Sequence, residues 1–165
     1  MSRNPLPLVW LFMMLCTSLM AQNPYDPSLV SPEVNSLVSQ IVQGKVLSGR
    51  YALRNQEKTK QYQRFENLHK IASRKELMTL SNHPNGLVRC YAFWALAKNK
   101  PKKLETLLEA HVADNEKVKT LFKYKVGEIE VRQFMLDLVS DNSIDPDAFK
   151  LENTEMARLN ALIKH

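Results

Sequence analysis

The sequence predicts an all-α fold: antiparallel helix pairs packed as a compact right-handed α-solenoid fragment. Three observations point that way. Only 4 Gly occur among 165 residues, and the long apolar patterns lack the Val/Ile/Thr-rich alternation of strands. Apolar residues recur instead at helical spacing through most of the chain. Finally, a set of landmarks repeats after thirty positions: Leu77, Asn85, Val88 and Tyr91 precede Leu107, Asn115, Val118 and Leu121, and Arg89 is matched by Lys119. A helical unit recurring at 20 to 50 residues is the mark of a stacked repeat.

The first 22 residues read as a signal peptide. Arg3 supplies a positive start, and Leu6 to Ala21 carries no charge around the apolar run Leu8-Val9-Trp10-Leu11-Phe12-Met13-Met14-Leu15. This stretch is shorter than the ~20 residues that span a bilayer comfortably, and small or polar residues (Thr17, Ser18, Ala21) follow it. Cleavage is expected near Ala21 and Gln22, with an uncleaved anchor or lipidation at Cys16 as alternatives. The protein is thus expected to be exported, to the periplasm or beyond the cell. Loss of residues 1–22 removes Arg3 and no acid, so the formal charge falls from +6 to +5. Cys90 is then the only cysteine, and an internal disulfide is excluded.

Residues 23–30 form a Pro-containing leader, and residues 31–165 a single helical domain. Ser31-Pro32-Glu33 is a helix start, followed by Val34, Leu37, Val38, Ile41 and Val42 on one face. Gly44 is placed to end this helix in the left-handed conformation. Residues 45–56 fit either a short helix or an extended connector. A second helix begins near Lys58, with Tyr62, Phe65, Leu68, Ile71 and Ala72 along one side. Ser73-Arg74-Lys75-Glu76 has capping-box form and opens a short third helix that stops at Asn82-His83-Pro84. From Gly86 to Asn99 apolar residues cover every side of the wheel, interrupted early only by Arg89. A helix apolar all round and too short to span a membrane is a buried one, so this segment is the expected hub of the core. Leu104, Leu107, Leu108 and Val112 form the next stripe. Asp114-Asn115-Glu116 is then expected to cap a helix carrying Val118, Leu121 and Phe122. Val126 to Ser140 reads as a further helix, Asn142 to Pro146 as a loop, and Thr154 to Lys164 as a last helix burying Met156, Leu159, Leu162 and Ile163.

With Leu77 and Leu80 on one helix, Pro84 and Asn85 in the turn, and Val88, Arg89, Ala92 and Leu96 on the next, the chain resembles a HEAT-like repeat of the short, phycobilisome-lyase type. The best repeat covers residues 74–99, and a degenerate copy covers 102–124. Two departures stand out. His83 or Asn85 occupies the place of the turn aspartate that can pair with a neighbouring arginine, and Lys119 lacks the planar fork of Arg89. The resemblance implies an interaction or scaffold role, by analogy of fold.

Nothing in the sequence points to chemistry. His69, His83, His111 and His165 show no metal-ligand spacing, so no metal and no cofactor are expected. Cys90 lies among apolar helix positions, which suits a buried small hydrophobe rather than a nucleophile. No phosphate loop or nucleophile elbow occurs, and Glu128 and Glu130 point apart on a helix. Charge is the remaining clue. Eight Lys/Arg lie between Arg50 and Lys75 against Glu57 and Glu66, and eight Lys lie between Lys98 and Lys125 against four acids. Lys98, Lys100, Lys102, Lys103, Lys117 and Lys119 are the candidate contacts for an anionic partner; solvated helix faces are the plainer reading of the same residues. An exported protein has little access to nucleic acid, which makes it an unlikely partner. The expected function is therefore protein binding or scaffolding in the cell envelope. The alternative is attachment to an anionic membrane or polysaccharide surface, and an enzyme with a site invisible in sequence is the residual one.

Overall fold

The computed structural model describes residues 25–50, 52, 57–99, 102–141 and 144–163. The signal-peptide reading, Lys100 and Lys164 lie outside them, as do residues 51 and 53–56 of the ambiguous 45–56 segment. After a 3-10 turn at Pro27–Leu29, the order is α1 (Pro32–Gly44), β1 (Leu47–Ser48), α2 (Lys60–Ile71), α3 (Arg74–Leu80), α4 (Gly86–Lys98), α5 (Leu104–Ala110), β2 (Lys117–Phe122), β3 (Lys125–Glu130), α6 (Val131–Val139) and α7 (Asn153–Ile163). Among the described residues seven α-helices thus accompany a three-stranded mixed sheet. The sheet overturns the all-α, right-handed solenoid expectation.

The first four helices follow from local sequence. Pro32 opens α1, whose Val34, Leu37, Val38 and Ile41 are buried. Lys45, not Gly44, takes the left-handed position, at φ 56°. Gly44 serves a different need. The Gln61 side chain lies across it, so a β-carbon there would sit 2.0 Å from Gln61 Oε1, while Gln61 Nε2 donates to the Ile41 carbonyl at 2.9 Å. Thr59 caps α2 by accepting from the Tyr62 N–H at 3.0 Å. Ser73 and Glu76 form the full capping box on α3, and Glu76 also accepts from the Ser31 N–H at 2.9 Å, tying α1 to α3. Asn85 caps α4 by accepting from the Leu87 N–H.

α4 is the hub. Every residue from Leu87 to Ala97 except Arg89 is buried, and the helix packs on α1, α2, α3, α6, β1 and β2. Its aromatic side chains organise the core. Phe65 stacks on Trp94 with centroids 4.5 Å apart, Tyr91 lies 5.3 Å from Phe65, and Phe134 lies 5.8 Å from Trp94.

The degenerate copy departs from helix after α5. Lys117 to Phe122 is a strand, paired antiparallel with Lys125–Glu130 from Lys117↔Glu130 to Phe122↔Lys125. β1 pairs parallel to β2 at Leu47↔Thr120 and Ser48↔Leu121. Asp114-Asn115-Glu116 therefore leads into a strand and opens no helix of its own, and the helix expected from Val126 begins at Val131. The physical reason is period. Val118 and Thr120 turn into the core while Lys117 and Lys119 face water, the two-residue alternation of a half-buried strand. At the far end of the chain, Leu159 is the buried residue of α7, and Leu162 is exposed.

Candidate functional site

Because β2 runs alongside α4, the two ends of the hairpin meet different parts of that helix. At its base, Glu116 Oε1 accepts from the Gly86 N–H at 2.9 Å. A β-carbon on Gly86 would lie 2.8 Å from Glu116 and Val131, so the close approach requires glycine. Arg89 is held here in a bidentate pair with Asp114 (2.7 and 2.8 Å), with Glu116 at 2.7 Å and the His83 carbonyl at 2.8 Å. The Arg89 and Asp114 side chains are only 11% and 10% exposed. Burial pushes the Asp114 carboxyl up, but His111 and Arg89 outweigh it and hold the group below the usual range. This contact joins segment 74–99 to segment 102–124, with the arginine from the first and the aspartate from the second. The first copy's turn gave no sign of this link, because the partner of Arg89 lies 25 positions away and not beside His83. His111 is buried with both ring nitrogens outside hydrogen-bond geometry; its Nδ1 stands 3.5 Å from Asp114 Oδ2.

At its tip, the hairpin meets the Trp94 end of α4, and a cleft of about 490 Å³ opens there. Tyr62, Trp94 and Phe122 form its aromatic wall, with ring centroids 5.9 Å (Tyr62–Trp94) and 6.4 Å (Trp94–Phe122) apart. Gly49, Ile144 and Pro146 add further lining; a β-carbon on Gly49 would collide with the Phe122 ring at 2.5 Å. Arg50, Lys123 and Lys125 bring positive charge to the rim, and Asp145 and Asp147 negative charge.

The acidic side is already engaged. Asp145 Oδ2 accepts from Trp94 Nε1 at 2.7 Å and Lys98 Nζ at 3.0 Å, and its Oδ1 accepts from the Asp147 N–H at 3.0 Å. Burial raises the Asp145 carboxyl, yet these bonds outweigh it and keep the group ionised, below its ordinary value. Lys150 Nζ fastens the same loop by donating to the Asp145 and Leu138 carbonyls. Burial, reinforced by the Asp145 charge, pushes the Tyr62 hydroxyl up to about 12, so it remains a protonated donor at neutral pH.

The basic side is different. Among the described residues the Lys123 and Lys125 ammonium groups have no ion-pair or hydrogen-bond partner. Lys123 lies in, and Lys125 directly follows, a two-residue turn in which Lys123 (φ 46°) and Tyr124 (φ 65°) both adopt the left-handed conformation. Primed hairpin turns favour Asn and Gly at such positions. A Lys-Tyr pair there carries strain of about 1–2 kcal/mol per residue, the kind of local cost that concentrates at functional sites. Tyr124 is 58% exposed and Val126 is 80% exposed.

The five candidate lysines among the described residues are spread over separate elements, and Lys100 lies outside them. Lys98 is in the Asp145 ion pair, with Asp147 at 3.7 Å. Lys102 and Lys103 are exposed before α5, and the Lys102 carbonyl accepts from Arg74. Lys117 and Lys119 stand on the outer side of β2, in register with Glu130 and Glu128 of β3. Lys123 and Lys125, which lie in the same charge run, are the ones at the cleft. Phe122 before them and Tyr124 between them are the signal that a count of charges passes over. Cys90 is fully buried and its thiol is driven well up by burial, which leaves it inert. Among the described residues no cluster of three His, Cys, Asp or Glu could hold a metal, and no helix is long and apolar enough to cross a membrane. No family model, curated protein or solved structure matches the chain.

Proposed function

We propose that this protein is an exported binding module that holds a segment of a partner protein at the tip of the β2–β3 hairpin and in the cleft behind it. The observation that carries the reading is the turn itself: a strained Lys123-Tyr124 pair displays an exposed tyrosine between two lysines that line a cleft walled by aromatic rings, and Val126 stands exposed on the outer face of the same hairpin. Exposed aromatic and apolar groups beside a preformed cavity are the raw material of a binding hot spot. Export rests on the signal-peptide pattern of residues 1–22. The resemblance of residues 74–99 to a HEAT-like repeat supports an interaction role by analogy. Attachment to an anionic surface through the six candidate lysines has less support, because Lys98 is paired and Lys117 and Lys119 face glutamates.

The test is selection of displayed random peptides on the folded protein, with affinity then measured on a Tyr124→Ser/Val126→Lys variant. The reading expects enriched peptides whose affinity falls about tenfold or more in the variant, with the unfolding midpoint little changed. No enrichment, or equal affinity for the variant, would count against it.

A further inference from the structure

The cleft has two unlike sides, and the difference says what chemistry it receives. Its wall is apolar and aromatic, contributed by Tyr62, Trp94 and Phe122 on three separate elements, and its volume of about 490 Å³ lies in the range of ligand pockets, about 300–1,000 Å³. On one rim the Asp145 carboxylate is fully engaged by Trp94, Lys98 and the Asp147 backbone, so it offers little to an incoming cation. On the other side the Lys123 and Lys125 ammonium groups lack partners among the described residues. Asp147 also lines the cleft, but it lies beside Lys98, 3.7 Å away. Lys98 is shared between the two aspartates, which leaves one negative charge against Lys123 and Lys125, so the net charge at the mouth is positive, next to an apolar wall that excludes water and strengthens a charge-assisted contact.

From this arrangement we infer that the cleft accepts an apolar or aromatic group carrying a carboxylate, with the apolar body against Trp94 and Phe122 and the carboxylate between Lys123 and Lys125. The inference rests on the proposal that this cleft is the binding seat, and it specifies the ligand. One chemistry has two sources: a free small aryl or alkyl acid, or the C-terminal residue of a peptide chain. The positive-φ turn places the two lysines on either side of Tyr124, and the pairing Phe122↔Lys125 joins the aromatic wall to the basic rim across one rung of the ladder. Recognition of the acid thus depends on the hairpin's register, not on a diffuse basic face.

The experiment is calorimetric titration of the full chain with four probes: 3-phenylpropionate, its amide, Gly-Gly-Phe with a free carboxylate, and the same peptide amidated. Each acid is expected to bind about tenfold or more tightly than its amide, and to weaken as salt rises from about 0.05 to about 0.3 M. The Lys123→Gln/Lys125→Gln variant, whose exposed positions leave the unfolding midpoint unchanged, is expected to lose that preference. Tighter binding of the peptide acid identifies a chain terminus as the occupant; tighter binding of phenylpropionate identifies a free acid. Equal binding of acid and amide, or an undiminished preference in the lysine variant, overturns the inference while leaving partner binding standing if displayed peptides still require Tyr124 and Val126. Failure of all four probes overturns the inference, and if peptide selection also fails, the partner-binding reading falls with it.

Discussion

Residues 77–91 and 107–121 carry the same landmarks, yet one segment passes from helix to helix and the other from helix to strand. Leu77 and Leu107 are both buried on short helices, α3 and α5. Val88 and Val118 are both buried too, but Val88 sits in α4 and Val118 in β2. Asn85 caps α4, whereas Asn115 precedes a strand. The residues downstream of each landmark make the difference. After Val88 come Ala92, Ala95, Leu96 and Ala97, strong helix formers that are buried on every side. After Val118 come Thr120 and Phe122, alternating with Lys119 and Leu121, a two-residue period with β-branched members. Landmark residues therefore identify positions that seek the core, and the period between them decides the backbone. The two segments also divide the labour: α4 is the buried frame, and the hairpin is the exposed, strained element that α4 and its Arg89 cluster hold in place.

Substitutions should separate frame from hairpin most sharply at Trp94. Trp94→Ala leaves a hole against Phe65, Tyr91 and Phe134 and strands Asp145, so a loss of about 3–5 kcal/mol is expected in urea unfolding. A near-unchanged midpoint would break the assignment of α4 as hub. Next in size is Arg89→Ala, which leaves Asp114 buried beside His111 without its strongest partner. A cost of about 3 kcal/mol is expected, together with faster amide exchange across β2 than across α4. Uniform exchange across both would mean that the cluster does not anchor the hairpin.

The capping box supplies a smaller effect with a definite sign. Burial raises the Glu76 carboxyl, but hydrogen bonds from Ser31 and Ser73 prevail and bring it to about 2, below its unfolded value near 4.3. A depressed carboxylate contributes stability that is complete above the unfolded value and is lost as pH falls from about 4.3 towards about 2. Asp114 and Asp145, also lowered, act in the same direction. Glu76→Gln should flatten part of this acid limb, and Ser73→Ala should cost about 1 kcal/mol at neutral pH. An acid limb of unchanged slope in Glu76→Gln would contradict the capping geometry.

Much of the frame was legible because its signals are local. The apolar stripe of α1, the Ser73/Glu76 box and the all-round apolar surface of α4 are each read within a few residues. The hairpin was legible in principle, through the alternation from Lys117 to Phe122, but the thirty-residue echo and the helical spacing of Val118, Leu121 and Phe122 masked it. The Lys123-Tyr124 turn carries neither Asn nor Gly, so nothing marked a reversal there. The cleft was the least legible part. Its wall joins Tyr62, Trp94 and Phe122 from distant parts of the chain, and the Trp94–Asp145 bond links residues 51 positions apart. Among the lysines, charge counting could not separate Lys98, paired with Asp145, from Lys123 and Lys125, which lack partners among the described residues.

The division between a stabilising frame and a strained binding hairpin is tested most directly by Tyr124→Gly. Glycine relieves the left-handed strain at φ 65° and removes the exposed ring while leaving both lysines in place. Relief of about 1–2 kcal/mol of left-handed strain, less about 0.5–1 kcal/mol of glycine entropy, should raise stability in urea unfolding by about 0.5–1 kcal/mol, while affinity for peptides selected on the native protein should fall about tenfold or more. A variant that is less stable than the native protein, or that binds those peptides undiminished, would contradict the account.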